Sequence, residues 1–166
     1  MTTVSNRNQP TAIASTSLSP RVLIVTAMYP TPRNPHSGTF VKSQIDSLER
    51  SGVPTTLLHL TGRSAEKYAR GAARVFQLAD STRFDLIHGH YGYCGIVARA
   101  QWRLPVVVSF CGDDLLGTPD ASGHQTLTSR LAVRSSLILT HCVDGIIVKS
   151  EEMASALPTG LAIPPR

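Results

Sequence analysis

Long hydrophobic runs are missing from this chain: the longest centre on Val22–Val25 and Val106–Val108, far short of the roughly 18 apolar residues that cross a membrane. A transmembrane segment is excluded, and a soluble or membrane-peripheral chain is expected. Cysteine is scarce. Cys94, Cys111 and Cys142 form an odd set without a Cys-x-x-Cys pair, which excludes zinc-finger spacing and a disulfide framework and fits a reducing, cytoplasmic setting. Aromatic residues make up 5% of the chain and do not interleave with the basic ones as a stacking surface for bases requires, so nucleic acid is not an expected partner. Neither GxGxxG nor GxxxxGK[ST] occurs, and nothing points to a nicotinamide cofactor or to a P-loop ATPase. Acidic residues number 11 against 16 Lys and Arg, a formal net charge of +5, which favours acidic partners in general.

What is present is an alternation of β-branched runs with helical periodicity. Residues 1–20 are rich in Ser, Thr, Asn and Pro, and read as a disordered leader without a signal-peptide core. Arg21–Ala27 predicts a first strand buried on both faces. Pro30, Pro32 and Pro35 break the chain before Ser37-Gly38, after which Phe40, Val41, Ile45 and Leu48 recur at helical spacing up to Gly52 and Pro54. Further strands are predicted at Thr55–Leu60, Asp85–His88, Val106–Phe110, Gly145–Val148 and Leu161–Ile163. Helices are predicted at Ser64–Ala79, Gly95–Trp102, Leu127–His141 and after Ser150. Such an order predicts an α/β fold, a Rossmann-like doubly wound parallel sheet in a single domain. Ser64–Ala79 is amphipathic, with Ala65, Tyr68, Ala69, Ala72, Val75, Phe76 and Ala79 on the apolar side and Lys67, Arg70 and Arg74 opposite. Its basic side reads either as a solvated surface or as a contact for anionic lipid.

Function is expected where the strands end, because an open parallel sheet binds ligands beyond the carboxyl ends of its strands. His88-Gly89-His90-Tyr91-Gly92 and Ser109-Phe110-Cys111-Gly112-Asp113-Asp114 are the two polar clusters placed there. His88 and His90 with Cys94, Asp113 and Asp114 offer metal-ligand chemistry, but no HxxxH or second ligand pair accompanies them, and no metal is expected. Cys111 with His90 as base would make a nucleophile only if something lowered the thiol pKa. Ser37-Gly38-Thr39 enters the first helix, where free amides and a residue without Cβ suit a phosphate. Equally, Ser37 reads as a helix cap and Gly38 as a turn former.

Taken together, VLIVTAMYPTPRNPHSGTFVKSQIDSLERSG, FDLIHGHYGYCG, LPVVVSFCGDDLLGTP and DGIIVKSEEMASALP, in that order, resemble the N-terminal half of family-4 glycosyltransferases, retaining enzymes of the GT-B fold. The resemblance runs from Arg21 to Pro164. It implies an acceptor-side domain over residues 21–164, truncated before the C-terminal nucleotide-sugar domain. It also implies transfer of a sugar from a nucleotide sugar to a glycan or lipid acceptor, without a metal or other cofactor. By position it assigns Ser37, Gly38 and Thr39 to the donor phosphates, and His90, Tyr91, Ser109, Cys111, Gly112 and Asp113 to the substrate side. Many relatives carry His where Cys111 stands, and two glycines where this chain has Ser37-Gly38. The family's catalytic Glu pair, seven residues apart, has no counterpart among these glutamates, so the catalytic residues stay unassigned. The expectation is a chain inactive by itself, completed by a separate C-terminal domain chain, in the cytoplasm or peripheral at the inner face of the membrane. A stand-alone acceptor-binding module and an unrelated α/β hydrolase are the alternatives.

Overall fold

The computed structural model describes residues 19–81 and 83–160. Most of the expected leader and the strand expected at Leu161–Ile163 lie outside them. Strands β1 (Val22–Thr26), β2 (Thr55–His59), β3 (Leu86–His90), β4 (Val106–Ser109) and β5 (Gly145–Ile147) form one sheet in the order β2-β1-β3-β4-β5, with every pairing parallel. Helices α1 (Thr39–Arg50), α2 (Ser64–Ala79), α3 (Gly92–Ala98), α4 (Asp113–Leu116), α5 (Leu127–Leu139) and α6 (Glu151–Ser155) fill the connections. The expected Rossmann-like α/β domain is present. Its strand order reverses between β1 and β3, the kind of switch point beyond which open α/β sheets bind ligands.

Alternation along β1 sorts the core into two layers. Val22 and Ile24 pack with Val41 and Ile45 of α1 on one face. Leu23 and Val25 pack on the other with Val75 of α2, Val97 of α3 and Leu139 of α5. β1 is buried along its whole length, as its unbroken apolar run requires, and burying each such side chain is worth about 1.5–3 kcal/mol. No helix among the described residues is long and apolar enough to cross a membrane.

Several boundaries differ from the sequence expectation, and one difference matters. β3 runs through His90 rather than stopping at His88, because Gly89 and His90 pair with Val25 and Thr26 of β1 and with Val108 and Ser109 of β4. His88 and His90 are therefore sheet residues, buried on the α1 face, not loop residues beyond it. α3 starts at Gly92, three residues before the expected Gly95, and ends at Ala98. Gly95 lets the helix lie close on Val108 of β4, and Gly92 lets its first turn approach Ser136 of α5. A four-residue helix, α4, was not expected. In α2 the buried side centres on Gly71, Val75 and Ala79, whereas Phe76 is exposed with Arg70 and Arg74, so the apolar face is rotated from the one predicted.

Helix α3 approaches the sheet backbone to backbone at Gly89, where an added Cβ would stand 2.9 Å from both the Cα and the nitrogen of Gly95. Backbone cannot yield as a side chain can. Gly89→Ala is expected to destabilise the domain by about 2–3 kcal/mol, read as a lower urea midpoint with an unchanged m-value; a midpoint equal to that of the parent would contradict this packing.

Candidate functional site

Parallel pairing puts the carboxyl ends of β1, β3, β4 and β5 on one edge, and the loops leaving β3 and β4 are tied together by backbone and side-chain bonds. The amide of Tyr91 donates to the Ser109 carbonyl at 2.9 Å, joining the β3 and β4 exits. Asp114, 1% exposed, accepts from the amides of Gly92, Cys111 and Gly112, each at 2.9 Å. One carboxylate thus fixes both loops. Tyr91 itself is held at φ +81°, a conformation costly for a bulky residue and maintained by these flanking bonds.

The two histidines of β3 sit beneath this edge with their rings 4.3 Å apart. Nε2 of His88 bonds the Ser109 hydroxyl at 2.8 Å. His90 is 1% exposed, and neither of its ring nitrogens has a hydrogen-bond partner among the described residues. Burial holds the His88 imidazole down to about 4. His90 is held down to about 3 by burial first, then by the neighbouring His88 and Lys149. Both are neutral at physiological pH, so His90 keeps one donor and one acceptor with nothing in the protein to receive them.

At the β1 exit, Thr26 closes the turn by bonding both the amide and the carbonyl of Met28. Gly38 starts α1 at φ +64° without a side-chain cap, so Ser37 does not cap the helix. A Cβ at Gly38 would lie 2.2 Å from the Met28 carbonyl oxygen, which explains the glycine by the protein's own backbone before any ligand is considered. Among the described residues the amides of Thr39 and Phe40 meet no acceptor, leaving the positive end of α1 open.

A family model described as glycosyl transferase 4-like domain matches residues 14–166. The chain belongs to the glycosyl transferase 4-like family. No curated protein matches it. Membership makes this domain a glycosyltransferase module, one that in general takes a nucleotide sugar and an acceptor.

Within that family frame, the structure brings the sequence-derived residues to a single edge but gives them unequal access. Gly38 is buried, Ser37 half-buried and Thr39 exposed; His90 and Ser109 are buried; Tyr91, Cys111 and Gly112 are half-buried; and Asp113 is exposed. The Ser109 hydroxyl is already engaged by His88. Burial and the Asp113 and Asp114 charges push the Tyr91 phenol up to about 12, so it stays a hydroxyl donor. Burial and Asp114 likewise push the Cys111 thiol up to about 11, opposite to what a nucleophile needs, and the hydrolase alternative is not favoured. Cys94 is buried with its thiol pushed up to about 12. Among the described residues no three His, Cys, Asp or Glu side chains are grouped to hold a metal ion. Sequence reasoning missed Asp114 as the organising carboxylate and Lys149 altogether. An acid two or three residues after free loop amides is the signal for the first; the second carries no local signal.

Two outcomes follow. Asp114→Ala is expected to lose about 3 kcal/mol of stability, since one buried and two half-buried amides lose a charged acceptor, whereas Asp113→Ala stays within about 0.5 kcal/mol of the parent in the same urea titration. The histidines make a pH prediction with a definite sign. Their folded pKa values lie below the unfolded value of about 6.5, so the unfolded chain binds protons more readily. Stability is complete above about pH 6.5 and falls as pH drops through the folded values near 4 and 3. The slope is up to about 1.4 kcal/mol per pH unit per histidine, and His90→Phe should flatten it. A slope identical in parent and variant between pH 4 and 6.5 would refute this assignment.

Proposed function

We propose that this domain is the acceptor-side half of a retaining glycosyltransferase of the GT-B type, moving a sugar from a nucleotide sugar to a glycan or lipid acceptor. The observation that carries this reading is His90: a buried imidazole with two unpartnered nitrogens, at the carboxyl end of β3 on the sheet face that packs α1. A protein does not bury such a group without a partner at low cost, and a hydroxyl or phosphate oxygen satisfies it. In this reading Gly38 and the first turn of α1 face the donor phosphates. His90 and Tyr91, with Cys111, Gly112 and Asp113, line the acceptor side.

An acceptor presented at a membrane has separate support. On the helical layer away from α1, Phe76, Trp102, Leu127, Leu131 and Ile138 are exposed at 55% to 74%. Arg74, Arg103, Arg130 and Arg134 stand beside them in the chain, all exposed. Apolar side chains interspersed with arginine suit an anionic lipid surface.

Catalysis is assigned to a closed cleft, because positioning donor and acceptor together is worth about 7–11 kcal/mol of barrier and a donor phosphate facing water gains little from the α1 amides. A second, nucleotide-sugar domain would close it. The 166-residue chain, incubated with a panel of nucleotide sugars and with lipid and glycan acceptors, is expected to show neither sugar transfer nor nucleoside diphosphate release above background. Turnover abolished by His90→Gln would show instead that this domain is a complete enzyme.

A further inference from the structure

Lys149 has no role in the site as described so far. It lies two residues beyond β5 and is exposed, yet its ammonium sits 4.0 Å from the centre of the Phe40 ring, the second residue of α1. It therefore reaches from the far side of the sheet's carboxyl edge to the open end of that helix. Among the described residues it makes no ion pair, although Glu151 and Glu152 follow it closely in sequence. An ammonium on an exposed ring is held by only about 0.5–1 kcal/mol. A stronger anionic partner can draw it away.

Three observations meet at this place. The 12-residue α1 presents the amides of Thr39 and Phe40 without acceptors. Lys149 brings a mobile positive charge over the same turn. His90, on the face of the sheet that packs α1, is buried with both nitrogens unpartnered, and lies near enough to Lys149 for that charge to oppose its protonation. All but one of these groups' open positions are donors. The missing component is an acceptor-rich anion.

We propose that Lys149, with the first amides of α1 and His90, binds a phosphoryl group of the ligand. This rests on the reading that the strand-end cleft takes a phosphate-bearing substrate, and it adds the cation which that reading lacked. A phosphoryl group has enough lone pairs for two amides, an ammonium and one imidazole N–H, and its charge suits both the helix terminus and the lysine. A sugar hydroxyl alone would leave the charge unused. The same chemistry can come from the diphosphate of a donor or from a phosphorylated acceptor headgroup.

The test is a titration of the 15N-labelled 166-residue chain with inorganic pyrophosphate in one arm and glycerol 3-phosphate in the other, following the Thr39 and Phe40 amides and the His90 ring. Tighter binding of pyrophosphate assigns the site to the donor, and tighter binding of the monoester to the acceptor. Lys149→Ala is expected to weaken the preferred probe about two- to fivefold, the range of an exposed ion pair. Lys149→Glu should weaken it further, and Lys149→Arg should restore it. Lys149 is exposed, so these variants are expected to keep the parent's circular dichroism. Equal affinity in parent and Lys149→Ala, with the α1 amides still shifting, overturns the role of Lys149 and leaves the cleft reading intact. No shift of the α1 amides by either probe in the parent overturns both.

Discussion

The carboxylate of Asp114 is the constraint on which the candidate site depends. Loops leaving neighbouring parallel strands have no reason to stay together once the ladder ends, and each carries amides that the ladder no longer satisfies. By accepting from Gly92, Cys111 and Gly112, Asp114 supplies the acceptor that both loops lack. The price of burying its charge is met by three charged hydrogen bonds. Tyr91 can then hold a positive φ, because the residues on both sides of it are anchored, and its ring stands 6.2 Å from that of Tyr93.

Below that anchored edge the chemistry is one of deliberate neutrality. His88 and His90 are taken out of water by the sheet and by α1, and desolvation leaves both imidazoles uncharged. His88 uses its ring to bind Ser109; His90 binds nothing among the described residues. The two histidines, two residues apart on one strand, thus differ in that one is engaged within the sheet and the other is not. Positive charge stands instead at the rim, in the first turn of α1 and in the exposed Lys149.

The glycosyl transferase 4-like fold assigns different tasks to the two faces of the sheet. The α1 face carries the polar chemistry, through Thr26, His88, His90 and the first turn of α1. The opposite face packs α2, α3 and α5 over the larger apolar core and turns arginines and exposed apolar side chains outward.

The sequence alone determined the fold class and the order of the main strands and helices. These depend on local periodicity and on glycine and proline, and both act over a few residues: the run Val22–Val25 can only be buried, and Gly38 can only begin a turn. Motif order also carried the family. Tertiary structure decided the end of β3, because whether Gly89 and His90 belong to a strand depends on β1 and β4 being present to pair with them. It decided which member of Asp113-Asp114 organises the loops, since only packing buries one and exposes the other. It also decided which of two histidines is left without a partner. Lys149 was invisible for the same reason: it lies 109 positions from Phe40 in the chain, and only the parallel sheet, by bringing β5 and β1 to one edge, sets its ammonium over that ring.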